Sequence, residues 1–423
     1  MSKNKLKIAI AGVGTVGKGL LNLLDKYKSN NVEVSAIASR KKIKLKSKIF
    51  KNTIFFKDAK DLLSFDDFDV LVELIGGDSG ISKEIVFEAL KKRKNVVTAN
   101  KALVSKYWKH FQSLALSNKC TIKFEAAVAG GIPIIKVIDE FLVTNKIRRI
   151  YGILNGTCNY ILSNMLSSSK EFNLILNDAK RLGYAESDPT FDIDGTDTSH
   201  KLSILSSLAF NCNVCEIRNE GIQKINLLDL RIADSLGYKI KLIGLTEFEK
   251  NSLKCFVYPC LLSKDSFIAK IDGVYNGIVV ESDFCKKTCF VGEGAGAFPT
   301  ATSVLSDVLS LTYSEPGSIK RATPSSKHRI ESLEERLGSY YLRFTTDDKP
   351  GVISGIANEF KKNNISMNSM LQKETGKSNA REASIVITTH NCLEKNMMNA
   401  LDRINSLSFI RKRTVYLRIE NFK

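Results

Sequence analysis

Short, wholly apolar runs alternate with longer amphipathic stretches along the first part of the chain. Residues 6–11 (LKIAIA) are a compact β-type run, followed at once by Gly12-Val13-Gly14-Thr15-Val16-Gly17 and then by leucines at helical spacing over 19–26. Residues 32–38 and 70–75 (VLVELI) read as further strands. The stretch 82–92 has the period of a helix and leads into the run 95–98. Strands and helices in this alternation predict an α/β fold, a doubly wound parallel sheet of Rossmann type. The end of the chain has a different rhythm. Residues 340–345, 365–372, 383–388 and 415–419 read as strands, with helices over 352–362 and 393–406. That βαββαβ order predicts a ferredoxin-like unit. Between them, residues 313–338 combine two prolines, several serines and the charged ESLEERLG, the composition of a connector.

Length and composition bound what these units belong to. A chain of 423 residues is too long for one core, and 43% hydrophobic with 26% charged residues are globular proportions. The longest apolar run, 126–135, is about half of what a membrane span needs and contains a Gly-Gly-Ile-Pro turn. The N-terminal run passes directly into the glycine motif, which is not the plan of a signal peptide. Nine scattered cysteines are not a disulfide framework. The close pairs Cys212/Cys215 and Cys285/Cys289 lack a second pair or a nearby histidine to complete a zinc site. A soluble, cytoplasmic protein with no membrane partner is expected. The excess of 63 Lys+Arg over 45 Asp+Glu, a net +18, is spread along the chain with densities at 40–51 and 91–94. Without a zinc-finger or RNP-type motif it predicts a lysine-rich surface rather than a nucleic-acid partner, and a field that attracts anionic substrates and dinucleotides.

Candidate chemistry concentrates in three places. In the first, strand, glycine turn and helix follow in the order that binds a dinucleotide: Gly12 for the tight turn, Gly14 for backbone approach to a pyrophosphate, Gly17 for close helix packing, with Val13, Thr15 and Val16 completing the loop. The acid that holds the ribose of NAD about 20 residues onward is missing. Ser39-Arg40-Lys41-Lys42 stands there instead, so Arg40 can pair with a 2′-phosphate and NADP(H) is preferred, NAD(H) remaining possible. The alternative is a solvated basic loop. In the second place, Thr98 and Lys101 sit at the carboxyl end of a predicted strand, where open sheets bind ligands. The third is 179–201, AKRLGYAESDPTFDIDGTDTSHK, with Glu186, Asp188, Asp192, Asp194, Asp197 and Lys201. A helix from 195 onward puts Asp197 and Lys201 on one face, where an acid and an ammonium can grip a zwitterion while the lysine delivers a proton. A calcium-type loop and a surface charge cluster are the alternatives. Ser199 stands where an EF-hand loop begun at Asp188 needs its glutamate.

The stretch 179–201 resembles the signature of the homoserine dehydrogenase family at every fixed position. GVGTVG at 12–17, VVTANKAL at 96–103, AAVAGGIPII at 126–135, GILNGTCNYIL at 152–162, YPCLLSKD at 258–265 and GEGAGAFPTA at 292–301 continue the likeness, which covers about residues 6–310. The resemblance implies nicotinamide-dependent interconversion of L-aspartate 4-semialdehyde and L-homoserine. The family's proton donor falls on Lys201 and its substrate contacts on Glu186 and Asp197, with Asp192 nearby. Gly183 and Gly296 fall at the dinucleotide, and Lys101 between cofactor and substrate. A sodium site falls on Glu125 and the main-chain oxygens of Val128, Gly130 and Ile132. It further implies a dinucleotide domain over 1–130 completed by a helix near 300–312, an α+β catalytic and dimerisation domain over 131–299, and a homodimer or homotetramer. The Asp347-Asp348-Lys349-Pro350-Gly351 turn resembles an ACT domain over 339–423. Its implied effector is L-threonine, received near Asp348 and Gly351, unless the domain serves only assembly. With Met1 almost at the first strand, no aspartate kinase module is expected to precede it. Glu293 inside the second glycine loop departs from what phosphates favour and is expected to face solvent. Two rivals are a 2-hydroxy-acid dehydrogenase using His200, and a catalytically silent sensor of NADPH and an amino acid.

Overall fold

The computed structural model describes residues 5–27, 31–41, 47–214, 217–313, 328–374 and 382–422. Lys42, Cys215 and most of the expected connector lie outside them. Six parallel strands form the first sheet: β1 (Leu6–Ala11), β2 (Val32–Ala38), β3 (Ile54–Phe56), β4 (Val70–Glu73), β5 (Asn95–Thr98) and β6 (Ile122–Lys123), in the order β3-β2-β1-β4-β5-β6. The order reverses between β1 and β4, which opens a crevice at the carboxyl ends of those strands. The strand expected over 70–75 stops at Glu73, because this residue turns its carboxylate back onto the N–H groups of Ile75 and Gly76 at 2.8 and 3.1 Å.

Each face of this sheet has its own core. Ala9, Ala36, Leu71 and Val96 pack against α2 (Ile81–Lys91) and α3 (Lys101–Ser117). Ile8, Ile10, Ile37 and Val72 pack against α1 (Thr15–Tyr27) and against Ala301, Val304 and Val308 of helix Ala297–Ser310. That helix begins 174 residues after the last strand of the sheet. Its approach to α1 is tight at Gly19, where a Cβ would stand 2.4 Å from the Ala297 carbonyl oxygen.

The second sheet is mixed. Strands Lys287–Glu293, Tyr275–Ser282, Ile147–Ile153, Tyr238–Glu249 and Ser252–Ser263 lie side by side, and helices Gly156–Ser168, Thr196–Ala209 and Leu227–Ser235 pack into one large core on one face. The C-terminal unit has the expected βαββαβ order, with strands arranged Ile410–Glu420, Leu337–Asp347, Glu382–Thr389, Met367–Glu374 and helices Val352–Lys362 and Glu394–Asn405 covering one face. Its sheet is not separate. Ile410–Glu420 pairs in parallel with Ser252–Ser263 through Cys260–Arg418, Leu261–Ile419 and Leu262–Glu420, making one twelve-stranded sheet. An unpaired edge presents a row of free N–H and C=O groups, and here two such edges satisfy one another. The end of the expected connector is part of this fold too: Arg329–Ile330 pairs with Ser252 and Leu253, and Leu337 already opens a strand. No helix among the described residues is long and apolar enough to cross a membrane.

Candidate active site

The crevice is shaped by backbone first. Gly12 has φ +100°, and a Cβ there would stand 2.7 Å from the Leu74 carbonyl oxygen. Around Gly14 there is open space, so a ligand can approach the backbone, and α1 begins at Thr15 with no acid in its first turn. Helix N-terminal amides there can receive a pyrophosphate. Val13, Thr15, Val16 and Gly17 complete the turn, and exposed Arg40 lies two residues beyond β2. Thr98 lies in the crevice floor but commits its hydroxyl to Glu73 at 2.6 Å, so it shapes the floor rather than offering a side-chain contact. Glu73 is fully buried, and burial raises its pKa against the hydrogen bonds it accepts.

Three segments then bring charged groups to one point. Gly195 turns the chain at φ +88°, and helix Thr196–Ala209 puts Asp197 in its first turn with Lys201 one turn later. Lys201 Nζ lies 2.8 Å from Asp197 Oδ2 and donates to the Leu154 carbonyl oxygen at 2.7 Å. The other Asp197 oxygen accepts from Lys101, the first residue of α3, which belongs to the dinucleotide-type sheet. Asn155 is the tether: its Nδ2 donates to Asp197 Oδ2 and to Asp192 Oδ1, both at 2.8 Å, while its Oδ1 caps helix Gly156–Ser168 by accepting from Cys158 N–H. Asn276 Nδ2 donates to the Leu154 oxygen at 3.1 Å, so the carbonyl that holds Lys201 is itself held.

Burial opposes the Asp197 carboxylate, but the ammonium groups of Lys201 and Lys101 outweigh it and hold the acid well below the usual range. Burial likewise opposes the Lys101 charge, and Asp197, with Asp192 and Glu186 behind it, raises its pKa. Asp192 moves up, first through burial and then through the Asp197 charge. Lys101 keeps about a third of its side chain exposed and Lys201 less than a tenth, so one ammonium stands at the mouth and one at the base.

The remaining acids separate by position. Glu186 is exposed on the rim; Asp188 holds Thr190, and Asp194 accepts from Thr196 N–H at 2.8 Å. Gly183, at φ +78°, is exposed beside them, and Gly296, at φ +125°, opens helix Ala297–Ser310. Glu293 is exposed, so its carboxylate does not crowd the glycine loop. His200 packs edge-on against Phe191 at 5.2 Å, and burial lowers its pKa.

Glu125, in the turn after β6, is the other buried acid of interest. Its oxygens accept Ile135 and Lys136 N–H at 2.8 and 2.9 Å, and Asp307 lies beside it, accepting Glu125 N–H at 2.8 Å. Burial, and then the Asp307 charge, pushes its pKa up to about 7. Gly130 oxygen accepts from Ser303 at 2.6 Å and Ile132 oxygen from Ile134 N–H at 2.8 Å, each retaining a lone pair. A buried carboxylate short of positive charge is the kind of group that a hard cation compensates. Among the described residues no group of three or more His, Cys, Asp or Glu is placed for a metal ion, so a site here has to draw on main-chain oxygens. In the C-terminal unit, Asp348 and Gly351 are both exposed, Gly351 opening helix Val352–Lys362 at φ +92°.

Asn155, the Leu154 oxygen, Asn276 and Glu73 are the site groups that pattern reading missed. Asn before Gly-Thr is a legible helix cap, but its two further hydrogen bonds, to carboxylates 37 and 42 residues away, have no signal in sequence.

Comparison with known proteins bears on the same residues. The family model "Homoserine dehydrogenase" matches residues 133–309, "Homoserine dehydrogenase, NAD binding domain" matches 12–125 and "ACT domain" matches 340–409. A homoserine dehydrogenase of Neisseria gonorrhoeae is 37% identical, the alignment covering 98% of this chain and 99% of the relative. The crystal structure of a homoserine dehydrogenase from Thiobacillus denitrificans superimposes with a TM-score of 0.91 at 34% identity, covering 99% of both chains. A hyperthermophilic archaeal homoserine dehydrogenase mutant in complex with NADPH superimposes with a TM-score of 0.64 at 26% identity, over 74% of this chain and all of that one. The chain therefore belongs to the homoserine dehydrogenase family: an oxidoreductase with a Rossmann-type nucleotide-binding domain, a mixed-sheet catalytic domain and a C-terminal ACT domain.

Proposed function

We propose that this chain catalyses the reversible reduction of L-aspartate 4-semialdehyde to L-homoserine with NADP(H) preferred over NAD(H), under the control of L-threonine. The observation that carries the reading is Asp197, a buried carboxylate bridging two ammonium groups that come from the two sides of the crevice. When bound over residues 12–17, with Gly183 and Gly296 at its flanks, the dinucleotide supplies or accepts the hydride. Lys201 has three N–H donors, of which Asp197 and the Leu154 oxygen take two. The third is available to the substrate oxygen, and the lysine gives up that proton as negative charge develops there. Lys101 adds positive potential from the mouth. Glu186, Asp192 and Asp197 receive the substrate ammonium group. Arg40 receives the 2′-phosphate; the missing ribose-binding acid and the archaeal relative's NADPH support this preference.

Glu125, with the oxygens of Val128, Gly130 and Ile132, holds a sodium ion that fixes the turn before Ile134. Threonine is received at the turn around Asp348 and Gly351, the protein works as a homodimer or homotetramer, and the cytoplasm is its compartment. Oxidation of NADPH on addition of aspartate semialdehyde, with and without threonine and repeated with NADH, tests the reading. Activity absent with both dinucleotides would overturn it, and equal rates with the two would remove the role of Arg40.

A further inference from the structure

Two ion pairs hold the C-terminal unit against the catalytic unit, one buried on both sides and one between a buried arginine and a half-buried carboxylate, and they differ in what stands behind them. In one, Arg343 on strand Leu337–Asp347 donates to both oxygens of Asp229, at 2.6 and 3.1 Å. Asp229 is fully buried in helix Leu227–Ser235 and also accepts from the Tyr341 hydroxyl at 3.2 Å. In the other, Arg418 on strand Ile410–Glu420 grips Glu220 with a fork, Nη1 to Oε2 and Nη2 to Oε1, both at 2.9 Å. The same guanidinium donates to Glu394 and lies 4.5 Å from the Tyr258 ring centre, with only 1% of the residue exposed.

Glu220 leads directly to the site. Its neighbour Asn219 donates Nδ2 to the Asp194 oxygen at 2.8 Å, and Ile222 N–H donates to the Ile193 oxygen at 2.8 Å. Gly221 lies so close that a Cβ would stand 2.1 Å from the Ile193 oxygen and 2.5 Å from Asp194 Cα. Residues 219–222 thus rest backbone to backbone on the turn at 193–195. That turn sets where helix Thr196–Ala209 begins, and Asp197 lies in its first turn. The segment is also held by a two-residue strand, Arg218–Asn219, beside Phe256 and Val257, by Glu220 N–H on the Val257 oxygen at 2.8 Å, and by Ile222, which is fully buried in the catalytic core, so the fork is the support that fixes the Glu220 end.

We propose that Arg418 and Glu220 are positioning residues for the reaction: through their fork the C-terminal unit clamps residues 219–222 onto the turn that aims Asp197 and Lys201. This rests on the assignment of the chemistry to Asp197 and Lys201. A bidentate guanidinium–carboxylate pair fixes orientation as well as distance. Removing it takes away one support of the 193–195 turn, and a misplacement of about 1 Å at a reacting group costs on the order of a hundredfold in rate. The Arg343–Asp229 pair has the same chemistry but anchors a helix that carries none of the site residues.

The test uses the full chain. Glu220→Gln, which keeps the volume, lowers kcat by about tenfold and leaves the KM of the dinucleotide unchanged. Arg418→Lys, which keeps the charge but loses the fork, does the same, and serves as the measured variant should Glu220→Gln fail to fold. Arg343→Lys loses at least as much thermal stability and retains wild-type kcat. The proposal is overturned if Glu220→Gln or Arg418→Lys stays within about twofold of wild-type kcat, or if Arg343→Lys loses as much turnover as they do. Lys201→Ala in the same series separates the two levels. Full turnover in that variant removes the assignment to Lys201 itself, whereas a low Lys201→Ala rate beside an unaffected Glu220→Gln removes only the clamp.

Discussion

Asp197 and Glu125 are both almost completely buried, yet their surroundings push them in opposite directions. Asp197 faces two ammonium groups and a neutral amide donor, so its charge is more than compensated. Glu125 has two backbone N–H donors and a second carboxylate beside it, with Lys136 reaching Asp307 at 3.3 Å rather than Glu125 itself. Burial alone does not decide the state of a carboxylate; the nearest full charges do. The first arrangement keeps a charge permanently in place for use on a substrate. The second leaves a deficit of positive charge that a bound cation can fill.

The largest expected effect comes from dismantling the compensated side. Lys201→Ala lowers kcat by roughly 10²–10⁴ while dinucleotide affinity, read by fluorescence titration, stays near wild type. Unchanged turnover would remove Lys201 from the chemistry.

Next is the uncompensated side. The folded protein keeps the Glu125 proton up to about pH 7, whereas the unfolded chain releases it near 4.5, so unfolding releases a proton between these values and stability falls as pH rises through them. The fall amounts to about 3 kcal/mol in the absence of a cation. Chemical denaturation at pH 5 and pH 8 measures it. Sodium ions diminish the fall, and Glu125→Gln removes the Glu125 share of it and the response to sodium, leaving the share of Asp307, whose pKa burial also raises. Asp197 has the opposite sign: its contribution is present above the ordinary carboxylate range and is lost only as pH falls below it.

A smaller effect is expected from the neutral tether. Asn155→Ala removes the donor shared by Asp192 and Asp197 and a helix cap as well, lowering kcat by about 10–100-fold and stability by about 1 kcal/mol. Asn155→Asp keeps the cap but sets a third carboxylate against the other two; wild-type turnover in that variant would show that the tether is dispensable. Smallest is Arg40→Ala on the exposed rim, which raises the KM for NADPH by roughly tenfold and leaves the KM for NADH unchanged. Equal effects on the two coenzymes would assign Arg40 to the general field of the surface.

Much of the fold was legible in local pattern. The apolar runs and glycines of 6–17, the helical period over 19–26 and the βαββαβ rhythm from 340 onward each depend on residues close in sequence. The same holds for Asp197 and Lys201, which one helical turn brings together. What pattern reading overlooked is of another kind. The junction of the two sheets rests on hydrogen bonds between backbone edges, which any side chains permit, so nothing at Cys260–Leu262 or Arg418–Glu420 announces it. Thr98 sits at the strand end where a ligand contact is expected, but its hydroxyl answers to Glu73 on the neighbouring strand.

Sequence alone determined which groups carry charge, which runs of the first and last domains become helices and strands, and which acid and lysine share a helical face, because these follow from bonds and contacts within a few residues. Only the tertiary structure decided that Lys101 would meet Asp197 from 96 residues away, that Asn155 would join two acids, and that Glu125 would lie next to Asp307 rather than next to a cation. The reason is physical: the strength of a buried charge depends on which other charges share its dielectric surroundings, and that company is assembled only when distant segments pack.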